Sequence, residues 1–382
     1  MKRWVRRLGV LALSGLGLLG ALALLARWRY GAGHADFPDR TSSPRLGADS
    51  LEVVAELPTP PGNIAVSATG RVFFTFHPEA HPRIKLAELR GGTPVAFPAE
   101  APQDSGVDFD TPLSLRIDAQ GRLWSLDNAT HGMGQPRLLA FDLDTGRLAH
   151  RYDFPASVAG LGSHLNDFQV APSGETVYIA DASIFALSPA VLVYDVKRKA
   201  CRRVLERDLS VLAEPFVPVV QGRVMKIFGL FAIAPGVDSI ALDKDGEWLY
   251  YAAVTSRRLY RVRTRDLQDA ALSATELSQR VETYADKTMS DGLSMDRSGN
   301  VYLTDLEHSA IVRLTPERTL ETLLRDTRMR WPDGMSFGPD GWLYVTCSAL
   351  HQVIGRTPGQ VRAKAPFQIY RFRPGTDGTP GH

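Results

Sequence analysis

Asn166, Asp238, Asp291 and Asp333 each stand eight positions before a glycine, at Gly174, Gly246, Gly299 and Gly341 respectively. Each opens a short hydrophobic run, as in "DGLSMDRSGNVYLTD" from Asp291 and "DGMSFGPDGWLYVTC" from Asp333. A single Asp before a strand does no more than cap a turn. Four oxygen-bearing residues at one fixed distance from one kind of turn form a set. If they converge, three carboxylates repel one another unless protons or a cation compensate. No His or Cys lies between any of the four and its glycine, so the donors suit a hard divalent cation. Ca²⁺ is expected ahead of Mg²⁺, with water or ligand completing a shell of about six to eight oxygens. Without a metal, the same charges would attract an ammonium group.

Positioning this set requires a repeat. Six segments share a short strand, a tight turn and a second, more apolar strand, starting at Gly62, Leu113, Asn166, Asp238, Asp291 and Asp333. The six turn glycines, Gly70 and Gly121 with the four above, are expected at positive φ, which glycine adopts without steric cost. A third apolar strand follows each pair, and a fourth follows all but the last. The missing fourth strand has a counterpart in "LEVVAEL", residues 51–57, ahead of the first unit. The expectation is an all-β, six-bladed β-propeller over residues 48–374, closed by that N-terminal strand. The innermost strand of each blade then starts at one mouth of the central channel, and the eight-back residues form a ring there. The same mouth collects the loops carrying Asn128 and His131, His164, His308, and His351, all candidate ligand-binding residues, the histidines among them able to move protons. An apolar insertion, residues 207–236, is expected to pack down as a cover.

The formal charge of +2 conceals a division. Residues 1–31 hold six of the 44 basic residues and none of the 42 acidic ones, so the rest of the chain nets −4. That is no footprint for nucleic acid, which needs a basic patch or stripe. Leu8–Ala26 carries no charge. As a helix it would span about 28 Å, close to the hydrocarbon thickness. Residues 1–31 are read as a hydrophobic helix that anchors the chain in a membrane, in preference to a cleaved signal. The four leading basic residues would stay cytoplasmic and the propeller would lie outside, in the periplasm or beyond. Residues 32–47 are read as a linker and 375–382 as a flexible tail. "GLGLLG" within the apolar run follows no strand, so it is not a dinucleotide fingerprint. Cys201 and Cys347 fall in distant units and read as buried small residues.

"HLNDFQVAPSGETVYIADAS", "DSIALDKDGEWLYYAAVTSRRLYRV" and "WPDGMSFGPDGWLYVTCSALHQV" resemble the major royal jelly protein / yellow family over about residues 50–370. The resemblance implies a six-bladed propeller and export, with members related to dopachrome conversion and others that bind small amines in the channel. A wider similarity is to gluconolactonase / senescence-marker propellers. It implies a divalent-cation site with Asp291 as catalytic base and Asn166 and Asp238 as ligands. That family's first-blade Glu is absent, since Pro61 and Gly62 occupy the region, and Asp333 could supply the missing charge. Two functions stay open. One is a metal-assisted hydrolase of lactone type, or an isomerase, acting on a small polar molecule. The other is a non-catalytic receptor for a small amine or aromatic ligand. No G-x-S-x-G elbow or H-E-x-x-H signature supports a serine or zincin mechanism.

Overall fold

The computed structural model describes residues 2–31, 33–34, 36–98, 108–227 and 229–382, with the side chains of 2–13 and 16 excepted. Six four-stranded antiparallel sheets are arranged as a propeller. In the third blade, Leu165–Val170 is innermost, followed outward by Thr176–Asp181, Ala190–Asp195 and Ala200–Val204. The sixth blade is completed by Glu52–Leu57, which pairs antiparallel with Phe367–Phe372. The strand displaced to the front of the sequence therefore closes the ring, as expected.

All six hairpin glycines have positive φ, from 70° at Gly341 to 88° at Gly299. The blades pack face to face through their alternating apolar residues. Tyr178 and Val191 of the third blade meet Ile240 and Tyr251 of the fourth in one buried cluster. Burying a side chain of this size contributes roughly 1.5–3 kcal/mol, and the pattern recurs between neighbouring blades. Both cysteines are free thiols.

Five of the six innermost strands begin with a register shift against the second strand, for example between Leu165 and Phe168 and between Pro332 and Met335. A bulge bends the strand and re-aims a side chain. Here it falls where each strand reaches the channel mouth, so Asn166, Asp238 and Asp333 turn toward the axis.

Two segments differ from expectation. Residues 375–382, read as a flexible tail, are seated at the opposite mouth. Ile117 donates its N–H to the Gly381 carbonyl, Phe337 donates to the His382 carbonyl, and the His382 Nδ1 lies 3.0 Å from Gln169 Oε1. The inner strands leave unpaired backbone groups there, and the tail satisfies them. The stretch read as a linker is also laid on the propeller. His34 bridges to Phe216, the Phe37 ring packs edge-on to Phe216, and Arg45 and Leu46 donate backbone N–H groups to Thr322 and Leu323. Lys2–Tyr30 forms one helix. The anchor expectation, residues 8–26, falls partly on side chains outside the description. Among the described residues no helix is long and apolar enough to cross a membrane.

Candidate functional site

At the mouth where the inner strands begin lies a cavity of about 550 Å³. Asn166, Asp238, Asp291 and Asp333 all line it, and His131 and His164 join them. The Asn166 amide donates to Asp238, and the Trp331 indole N–H donates to Asp291 Oδ2 at 2.6 Å.

The carboxylates lie close enough to disturb one another. Burial, then the charges of Asp291 and Asp333, pushes Asp238 well above the usual carboxylate range. Asp333 is raised well above it too, by burial and by Asp291. Burial raises Asp291 to about 6, against the Trp331 hydrogen bond, which lowers it. Lys287 is also buried, donates to the carbonyls of Val254 and Thr288, and is pushed down to about 7 by burial. The site is an acid cluster that favours holding a proton or meeting a cation.

Three predicted residues lie elsewhere. Asn128 accepts from the Thr111 hydroxyl and the His131 N–H and shapes its own loop. His308 sits at the rim between Asp305 and Asp39, with its Nδ1 2.9 Å from Asp305, and that carboxylate raises its pKa. His351 lies behind Trp331, with ring planes 12° apart and its Nε2 3.2 Å from Gln221, and burial pushes it down to about 4. None of the three lines the cavity.

Other lining residues were not anticipated. Arg116, almost fully buried, donates to Asp167 Oδ2 at 2.8 Å and Asn63 Oδ1 at 2.9 Å. His77 and Glu79 face His131 and His164. The two imidazole Nδ1 atoms of His131 and His164 lie 2.6 Å apart, and His131 Nε2 is 3.8 Å from Glu79. The neighbouring His131 imidazole is the largest cause holding Glu79 down at about 2, and burial keeps His164 neutral down to about 3. Glu79 is thus the ionised group of this corner. Opposite the acids the wall is apolar: Phe185, Leu187, Ile227, Phe231, Leu350 and Ile354. Most of it comes from the expected cover and its neighbouring loops.

Gly292 shows how tightly the site is built. A Cβ there would lie 1.9 Å from the Asp333 carbonyl oxygen, while its N–H donates to the Thr304 hydroxyl. Gly292→Ala should cost about 1–3 kcal/mol through overpacking and displace both flanking acids. Denaturant unfolding, with ligand titration of the folded fraction, checks this.

Three carboxylates and an amide match a hard divalent cation in donor type and charge. Among the described residues, however, no group of three His, Cys, Asp or Glu is placed to hold a metal ion.

The chain is a six-bladed propeller with an acid-lined axial cavity under an apolar cover. The chain belongs to the major royal jelly protein family, whose model matches residues 111–371. It is 26% identical over 208 residues to major royal jelly protein 6 of Apis mellifera, covering 52% of this chain and 45% of that protein. To major royal jelly protein 1 of Apis mellifera it is 27% identical over 223 residues, covering 54% and 49%. The chain spans about half the length of the curated relatives it matches. Among solved structures it resembles a luciferin-regenerating enzyme with a TM-score of 0.54 at 14% identity, covering 87% of this chain and 97% of that one. It also resembles a gluconolactonase from Xanthomonas campestris, with a TM-score of 0.53 at 15% identity and coverage of 90% and 97%. A third is the calcium-binding protein regucalcin from Agrobacterium tumefaciens, with a TM-score of 0.52 at 18% identity and coverage of 86% and 96%. These likenesses show the fold.

Proposed function

We propose that the axial cavity binds a small molecule carrying a positive charge on an aromatic or aliphatic body. The observation that carries this reading is the pairing of walls. Asp238 is buried and Asp291 and Asp333 are half-buried in the wall, and Trp331, Phe185 and Phe231 are among the other lining residues. An ammonium group would relieve the repulsion among the acids. Its apolar body would meet the cover, and an aromatic face favours a cation within about 6 Å.

A divalent cation, Ca²⁺ ahead of Mg²⁺, is the second occupant we propose for the same acids, because burial and then their mutual repulsion disfavour their charged forms. Asn166, Asp238, Asp291 and Asp333 would have to draw closer together to hold it, and it would supply Lewis-acid polarisation of a substrate carbonyl. Asp291, with a pKa of about 6, suits a proton acceptor near neutral pH. His131, oriented by Glu79, stands across the cavity as a second proton carrier. This is the lactone-hydrolase or isomerase reading. We place the propeller outside the cytoplasm, anchored by residues 8–26, because that uncharged run lies between two groups of basic residues.

Thermal melting tests the first reading directly. Benzylammonium at ten times its Kd should stabilise the chain by about 1.4 kcal/mol, while neutral benzyl alcohol should not. Equal shifts from both would overturn the charge reading. A melting shift from CaCl₂ reversed by chelator, with chelator-sensitive turnover of a lactone panel, would establish the second instead.

A further inference from the structure

The cavity is reached from one side. Its far end is covered by the C-terminal residues, whose backbone is bonded to the innermost strands of the second and sixth blades. At the near mouth the N-terminal helix ends on the rim: the Tyr30 hydroxyl donates to the Phe185 carbonyl at 3.0 Å, and its ring lies 5.6 Å from Phe231. Arg29 and Tyr30 line the cavity. The chain that follows is pinned beside it by the His34–Phe216 bridge. The direction of the helix is thereby tied to the direction in which the cavity opens.

That face carries several exposed apolar side chains. Met133, Leu161 and Phe185 are exposed on three adjoining loops. The loops touch where Gly132 meets Gly160 and Gly162 meets Ala186. Leu209 and Val224 of the cover are exposed as well. On the helix, Leu18, Leu19, Leu22, Leu24, Leu25 and Trp28 are all exposed. At 3.6 residues per turn they spread over roughly 220° of its circumference, wider than one stripe. A second copy of the chain would cover a stripe, whereas an apolar face this broad needs an apolar surround. Arg27, Arg29, Trp28 and Tyr30 cluster at its propeller end, the residue types that settle at headgroup level.

We propose that the cavity mouth lies against a lipid bilayer and that its ligand is an amphiphile, with a cationic head and an alkyl or aryl tail, that enters from the membrane. The ligand half rests on the cationic reading of the cavity; the orientation does not. In this arrangement the tail leaves the bilayer along Phe185 and Phe231 while the head travels to Asp238 and Asp291.

Two measurements on the full chain, in vesicles of phosphatidylcholine with phosphatidylglycerol, decide it. With Cys201→Ser as background, a fluorophore is attached through Leu161→Cys at the near mouth or Lys244→Cys at the far one. Doxyl-labelled lipid should quench the first at least about twofold and leave the second unchanged. Equal quenching, or protection that follows protein concentration and ignores lipid, overturns the orientation, and the latter identifies a second copy as the occupant. Calorimetric titration then compares octylammonium with ethylammonium, and the longer chain should bind at least about tenfold tighter, given the gain per buried methylene. Equal affinities overturn the amphiphile. If neither ammonium binds while the quenching holds, the cationic reading of the cavity fails and the membrane-facing mouth stands.

Discussion

Asp291→Asn should melt higher than the native chain at pH 7 and should no longer respond to benzylammonium. Asp291 is raised from its ordinary 3.8 to about 6, chiefly by burial. A carboxyl raised on folding costs stability above its folded pKa. The unfolded chain ionises first, near 3.8, and the penalty grows until the folded group ionises too. It is therefore absent below about pH 3.8, builds up to about pH 6 and is complete beyond. From the shift, its full size is on the order of 3 kcal/mol. Asparagine keeps the shape and can still accept from the Trp331 indole, so the penalty disappears while packing survives. The Tm difference between variant and native protein should shrink toward zero as pH is lowered to 4. An unchanged or lower Tm at pH 7 would mean the acids are already compensated. A gain of stability with a loss of binding is the signature of charge held in place for a ligand.

The acids of this sequence sort by position, which explains how far the sequence could be read. Those eight before the turn glycine reach the channel. Those three before it, Asp118, Asp243 and Asp296, accept backbone N–H groups of their own hairpin turns. Those ending the second strand, Asp127, Asp181 and Asp305, hold the loop that follows, and the first two also hold the residues leading into the first strand. Periodicity separates the three groups because the hairpin geometry is the same in every blade. The closing strand was legible for the same reason, as one missing member of a regular count. Arg116 also left a signal. Five before the turn glycine, the other units have Ala65, Gln169, Ala241, Ser294 and Ser336, so the Arg is the outlier of a channel-facing column. His77 and Glu79 left none, because they ride on a loop with no repeat to set its path. His308 and His351 were assigned to the right mouth, but loop conformation sets depth. One stops at the rim, and the other passes behind Trp331. The tail at 375–382 escaped because nothing in its composition announces the unpaired backbone it satisfies.

Arg116→Met should produce the largest loss. The guanidinium is the cation inside the channel that pairs with Asp167, donating to it at 2.8 Å with both side chains buried. Asp167 also accepts from the Ser114 hydroxyl and the Phe168 N–H. Even so, burial leaves its pKa raised. Methionine fills much the same volume but leaves Asp167 charged in a low-dielectric site beside three other acids. Breaking a buried pair from one side costs about 3–5 kcal/mol, while removing both partners costs far less. Arg116→Met/Asp167→Asn should therefore recover more than half of what the single change loses, and the double-mutant cycle should report strong coupling. The single variant's loss should shrink as pH falls and Asp167 takes up a proton, because its folded pKa then lies still further above the unfolded one. Equal losses in the single and double variants at pH 7 would show that Arg116 acts by filling space. With the pair intact, Asp167 is compensated within the protein, and that leaves Asp238, Asp291 and Asp333 as the charges a ligand must answer.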